Sequence, residues 1–288
     1  MPDIVIHAAT AAAYAGLAWH FWRTRWRAQP AGTVPLAGTR PWERVALLAP
    51  LALHAYLLYA ELFAPSELRF GFAQALSTML WLAVLIYWFE SLFFSLEGMQ
   101  PPVLALAALA APLPALFPGR ASVLAASLEF KVHLAMAMLA YSLFTIAILH
   151  ALLMALLERR LHGSAAARAA LPAEGAGLLS GPLGALPPLL TLERLLFRMI
   201  AAAFVLLTLT LASGIVFSES MFGRALRFDH KTLFAVLSWA TFALLLAGRY
   251  LYGWRGRIAL RWTLSGFLML LLAYIGSRFV LEVVLGRG

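Results

Sequence analysis

Eight stretches of this chain run almost wholly apolar, at about residues 3–22, 44–63, 72–90, 101–117, 129–153, 197–217, 230–248 and 258–281. A helix of ~20 apolar residues, rising ~1.5 Å per residue, crosses the ~30 Å hydrocarbon core of a bilayer. Backbone in lipid must satisfy its own hydrogen bonds, so such stretches become helices, whereas barrel strands would alternate polar and apolar residues. Repetition of that length along the chain predicts an all-α fold: a polytopic transmembrane helical bundle of about eight helices. Of the 288 residues, 63% are hydrophobic and 12% charged, which leaves no composition for a separate soluble domain. The fourth stretch is short and holds Pro112 and Pro114, so it reads either as a span whose freed backbone groups find other partners or as a re-entrant segment.

No basic residue precedes the first stretch, while Arg23, Arg25 and Arg27 follow it directly, the reverse of a secretory signal peptide. An uncleaved first helix with its N-terminus outside is expected. Alternation then places 14 of the 22 Lys and Arg residues on the cytoplasmic side and 8 outside, in keeping with the positive-inside rule. The chain reads as one integral membrane domain, 1–288, with a cytoplasmic linker near 158–196. That linker (GSAAARAALPAEGAGLLSGPLGALPP) is low in complexity, and Pro187 and Pro188 should halt any helix before Thr191 caps the next.

The absence of cysteine excludes disulfides, Cys-ligated zinc and iron–sulfur clusters. The net charge of +9 comes from basic residues beside apolar segments, so the bilayer and not nucleic acid is the expected partner. No nucleophile–base–oxyanion set, phosphate loop or zinc spacing is present, which argues against a hydrolytic or ATP-driven enzyme.

Ionisable groups inside spans are costly and therefore informative. His7 and His20 flank the first helix and His162 lies in the linker, positions that suit interfacial or solvated roles. His150, near the cytoplasmic end of the fifth helix, suits snorkelling or a hydrogen bond. His54 sits mid-way along the second helix, roughly 14 Å from its outer end. His133 lies about one turn inside the outer end of the fifth helix, and His230 opens the seventh on the same side. Each can bond to a neighbouring helix; two histidines converging from separate helices also meet the need of a haem iron for axial ligands. Phe217, Met221, Phe222, Leu226 and Phe228 offer apolar faces at that level, and Lys131, Arg224, Arg227, Lys231 and Arg278 offer cations for propionates or for lipid headgroups. Asp229 can orient His230 or cap the seventh helix. In the turn GWRGR, Gly253 and Gly256 permit tight geometry beside arginines that set topology or meet a cytoplasmic anionic group.

The segments EFKVHLAMAMLAYSLF, PPLLTLERLLFRM, Asp229–Trp239, GWRGR and AYIGSR together make residues 101–288 resemble the cytochrome c assembly family of haem-handling membrane proteins (the CcsA and CcmC type), most closely its shorter YpjD-like branch. Residues 1–100 are the variable N-terminal helices, similar mainly in layout and in His54. The family's external segment Trp-Gly-x-x-Trp-x-Trp-Asp falls on Phe222-Gly223-Arg224-Ala225-Leu226-Arg227-Phe228-Asp229, where Gly and Asp match and the three tryptophans do not. His133 corresponds to the family's first external histidine, and no histidine follows the eighth helix. The resemblance implies a multi-pass protein of the bacterial inner membrane. It would bind b-type, non-covalent haem and work with other cytochrome c assembly components, or deliver haem, without a catalytic set of its own. The expected haem site comprises His133 with either His230 or His54 as iron ligands, together with Phe222, Phe228, Asp229, Arg224, Arg227 and Arg278. Two other readings are a small-molecule transporter with a polar path through His54, Glu61 and Glu90, and a membrane scaffold of the same fold that has lost haem.

Overall fold

The structure, a computed structural model, describes residues 2–26, 39–62, 69–94, 96–119, 128–161, 189–222 and 230–286. Those residues are almost entirely helical. In chain order they form α1 (Pro2–Phe21, prolonged by a π turn at Trp22–Trp26), α2 (Pro41–Leu62), α3 (Phe72–Glu90), α4 (Gln100–Ala110), α5 (Leu113–Leu116), α6 (Leu128–Leu161), α7 (Leu189–Phe222), α8 (His230–Tyr252) and α9 (Gly256–Leu271). Helix α9 runs on through wide π turns at Leu272–Gly276 and Val280–Val284. Among the described residues, seven helices are long and apolar enough to cross a membrane, with Gln100–Leu116 as a shorter eighth.

The short α4–α5 segment does traverse the bundle. Trp26 Nε1 donates to the Gly98 carbonyl (3.2 Å), and His7 Nδ1 lies 2.7 Å from the Ala111 carbonyl oxygen. These two contacts are 19 residues apart on α1, roughly 28 Å of helix, so the segment runs antiparallel to α1 over nearly a full span. Pro101 and Pro102 sit at its first positions, where a missing N–H costs nothing.

Helix α6 is the central pillar: 72% of its spanning window is buried, against 17% for α7 and for α9. Its residues Ile146, Leu149 and Leu153 pack into a core with α1–α4 and the start of α7, while Met138, Tyr141 and Phe144 pack into a second core that joins α7–α9 to α2 and α3. Because lipid is as apolar as leucine, these contacts depend on close packing and on polar ties between helices. Phe144 and Phe242 stack with ring centroids 3.9 Å apart. That stack fits because residue 266 is glycine, where a Cβ would stand 2.9 Å from the Phe242 ring. Tyr141 donates to the Leu270 carbonyl (2.7 Å), Ser142 to that of Met79 (2.9 Å) and Ser238 to that of Gly266 (2.8 Å).

Helix ends are closed by side chains. The Gly71 N–H donates to Gln74 Oε1 (3.0 Å), and Glu282 Oε2 accepts from the Phe72 N–H (3.3 Å), placing a carboxylate at the positive end of α3. Helix α7 begins at Leu189, directly after Pro187 and Pro188, so Thr191 lies within its first turn and does not cap it.

Candidate functional site

Contacts between spans fix which residues share a depth. Helix α9 runs antiparallel to α6, and Tyr141 meets Leu270. His133 and Arg278 are each eight residues from that contact toward the same end of the bundle, so both sit about 12 Å from it. On α8, which runs parallel to α6, His230 is twelve residues before Phe242 and His133 eleven before Phe144, the two stacked rings. His133, His230 and Arg278 therefore occupy one level. Helix α7 supplies Ser213 and Phe217 to the same level.

The His133 imidazole is partly buried. Its Nδ1 lies 2.8 Å from Ser213 Oγ, and the Ser213 hydroxyl donates to the Thr210 carbonyl at 3.0 Å. A serine hydroxyl has one proton; donated to Thr210, it leaves Ser213 to accept from the His133 Nδ1–H, and the hydrogen bond then favours that tautomer. The lone pair is then on Nε2, which has no partner among the described residues. Phe217 meets the imidazole edge to face at 6.0 Å, and a Cβ at Gly214 would lie 3.4 Å from His133 Cε1. Ser213, Gly214 and Phe217 of α7 thus set the ring's orientation and clearance.

His230 is exposed at the start of α8 and makes no described contact with His133. Arg278 lies 3.7 Å from Glu282 Oε1 and 5.9 Å over the Tyr274 ring. Arg224, Arg227, Phe228 and Asp229 lie outside the described residues, and of Phe222 only the backbone, at the end of α7, is described.

His54 belongs to a different neighbourhood. It is 1% exposed, its Nε2 is 2.8 Å from Ser77 Oγ, and its ring meets Tyr14 at 5.7 Å. Ser77 stands two residues from Met79, which is bonded to Ser142, so His54 is level with about residue 140 of α6 and roughly 10 Å deeper than His133. Its partners come from α1 and α3, those of His133 from α7.

His7 departs from the interfacial role its sequence position suggests. It is 3% exposed and bridges the Ala111 carbonyl to Glu61 Oε1 at 2.8 Å. His20 is bonded to Glu43 (2.9 Å), and the same carboxylate holds Arg25 (2.7 Å) and the Arg40 N–H (2.8 Å). His150 does not snorkel: it is fully buried, with Nδ1 2.9 Å from the Ile146 carbonyl oxygen. Glu90 is buried at the far end of α3, thirteen residues or about 20 Å from Ser77. No described hydrogen bond joins Glu90 to His54 or Glu61, so the three do not form one continuous polar path among the described residues.

Sequence reading missed Ser213 and the His7–Glu61 bridge. A Ser–Gly pair inside the apolar run LASGIV is the available signal for the first, because small and hydroxylated residues mark close helix approach in membranes. For the second, His7 and Tyr14 are spaced i, i+7 and so share the buried face of α1.

The chain is similar in sequence to several known proteins. The chain is 31% identical over 153 residues to the inner membrane protein YpjD of Escherichia coli (strain K12), covering 53% of this chain and 52% of that protein. It is 34% identical over 156 residues to a 28.8 kDa protein of Azospirillum brasilense, covering 54% and 52%. It is also 38% identical over 89 residues to the cytochrome c biogenesis protein CcsA of Prochlorococcus marinus (strain MIT 9215), covering 31% and 29%. The matched part thus spans about half the length of the first two relatives. The multi-helix bundle and these relatives are consistent with a multi-pass protein of the bacterial inner membrane. The family model for cytochrome C assembly protein matches residues 42–285, from the start of α2 to the end of α9, and the chain belongs to that family.

Proposed function

We propose that this protein holds haem non-covalently at the His133 level of the α6–α9 group and takes part in cytochrome c assembly or haem delivery in the inner membrane. One observation carries the proposal: the Thr210–Ser213–His133 chain of hydrogen bonds leaves the Nε2 lone pair as the unpartnered end. A ligating histidine characteristically donates its other ring N–H to a fixed acceptor, which raises the basicity of the ligating nitrogen. The Ser213 contact gives His133 such an acceptor when its hydrogen is on Nδ1. Bound haem would supply an iron whose properties follow from its axial ligands and the polarity around it.

The protein's own residues divide the remaining work. Phe217 packs against the His133 ring and offers an apolar face. Arg278 brings a cation to the same level, where a propionate would compete with Glu282 for it. His230, at equal depth and exposed, suits the second ligand better than His54, since two axial nitrogens must reach one iron and His54 is about 10 Å deeper. The similarity to CcsA and the family membership support a role in cytochrome c biogenesis.

The test is haem titration of the purified protein, followed by the Soret band and a pyridine haemochrome assay. A shifted Soret band is expected for the wild type, lost in His133→Ala and altered in His230→Ala. A band of equal position and intensity in wild type and His133→Ala would overturn the proposal.

A further inference from the structure

The buried Tyr141 hydroxyl donates to the Leu270 carbonyl at 2.7 Å, and between Leu270 and Arg278 helix α9 leaves α geometry for the π turn at Leu272–Gly276. We infer that the Tyr141 and Ser277 hydroxyls hold this turn and thereby position Arg278, aiming its cation at the mouth of the His133 site. The bearing on haem rests on the function proposed above; the geometry of the turn does not.

In an α-helix each N–H reaches the carbonyl four residues back, and in a π turn five, so the hydrogen-bond ladder slips by one carbonyl where the two meet. Such irregularities arise where a side chain enters the ladder. Two hydroxyls do so here, one at each end of the turn. Tyr141 comes from α6 and takes the carbonyl of Leu270, two residues before the turn. At the far end the Ser277 N–H donates to the Tyr274 carbonyl, which frees the Ala273 carbonyl that would accept from it in an α-helix. The Ser277 hydroxyl fills that place, 3.1 Å from the Ala273 oxygen and 2.9 Å from that of Tyr274.

The turn decides a direction. An α-helix advances about 100° per residue, and a π turn takes up about one residue more, so the segment beyond it is rotated by about 100°. In that setting Arg278 lies 5.9 Å over the Tyr274 ring, and Tyr274 meets Phe70 at 5.9 Å. Glu282, 3.7 Å from Arg278, reaches across to accept from the Phe72 N–H at 3.3 Å, which registers the end of α9 on the start of α3. If the turn relaxed to α geometry, Arg278 would take the direction Phe279 has now, and Phe279 is exposed beside Val280. Glu282 would turn with it and leave Phe72. The Tyr141–Leu270 bond therefore sets the depth of Arg278 relative to His133, and the turn it holds sets where Arg278 points.

The experiment compares Tyr141→Phe, which keeps the ring and removes one O–H, with wild type in two readouts on the full chain. The first needs no haem: amide exchange followed by NMR should be about tenfold faster at Phe72, as for one lost hydrogen bond, with the amides in the middle of α3 unchanged. The second is haem titration. Affinity should fall about tenfold with the Soret maximum unmoved, Arg278→Gln should lose as much, and the double variant should lose no more than either single one. Unchanged Phe72 exchange, or acceleration spread evenly along α3 as a general loosening would give, overturns the inference; so does a double variant whose losses add. Wild-type protein that binds no haem overturns the functional reading alone, and the Phe72 exchange still decides whether the hydroxyls hold the turn. Should Tyr141→Phe fail to fold, Ser277→Ala is judged by the same two readouts.

Discussion

Replacing Ser213 with alanine removes the residue that sets the His133 tautomer while touching neither candidate ligand. In the native arrangement the hydroxyl accepts from Nδ1 at 2.8 Å and donates to Thr210 at 3.0 Å. One neutral hydrogen bond contributes about 0.5–1.5 kcal/mol, and a partly buried N–H left without an acceptor costs about 1–3 kcal/mol. The imidazole then turns or changes tautomer to find another partner, and the Nε2 lone pair is no longer held ready. Loss of such an outer partner typically lowers metal affinity about 10- to 100-fold, and the partial burial of His133 places the expectation near tenfold, about 1.4 kcal/mol. The assay is equilibrium haem titration in detergent, read at the Soret band. Ser213→Thr keeps the hydroxyl and should stay within about threefold of wild type. Gly214→Ala brings a Cβ to 3.4 Å from Cε1, an ordinary contact, and should do the same. If Ser213→Ala binds haem as tightly as wild type while His133→Ala does not bind, the tautomer argument is refuted and His133 is oriented by something else.

Three further outcomes follow from packing. Glu43→Gln removes the buried carboxylate that Arg25, itself 4% exposed, meets at 2.7 Å, and should lower stability by about 3–5 kcal/mol in a thermal or denaturant melt; an unchanged melt would refute a buried charge pair there. Gly248→Ala sets a Cβ 2.4 Å from the Trp254 ring, so Trp254 must leave its stack on Trp262 (5.3 Å), which tryptophan fluorescence reports as a change in emission maximum. Phe144→Ala should destabilise by about 3–5 kcal/mol, because it removes one ring of the 3.9 Å stack from the centre of the bundle and lipid cannot enter to fill the space.

The depth of the candidate residues was legible in the sequence, but their partners were not. His133, His230 and Arg278 were expected at one level because each lies a countable number of residues from a span end, and the interhelical contacts put them at one depth. His7 was misjudged for a related reason: distance from a helix end says nothing about which way a side chain points. It faces α2 and the turn between α4 and α5, where Glu61 and the Ala111 carbonyl receive it. Ser213 went unnoticed because the Ser–Gly pair in LASGIV marks a close helix approach without saying which helix approaches; its role exists only through a histidine 80 residues away.

By itself the sequence determined the order and approximate positions of the spans, though not the full length of α6 and α7, because hydrocarbon thickness and backbone hydrogen bonding act on local composition. It also carried the family resemblance, which the match over residues 42–285 bears out. Only the tertiary structure decided which spans touch. It made α6 the shared pillar, ran α4–α5 the length of α1, and set His54 apart from His133. The physical reason is that hydropathy is nearly uniform around a lipid-embedded helix. Choice of neighbour therefore falls to a few sites, such as Gly266 under Phe242, Tyr141 on Leu270 and Ser213 on His133, whose meaning depends on the residue opposite.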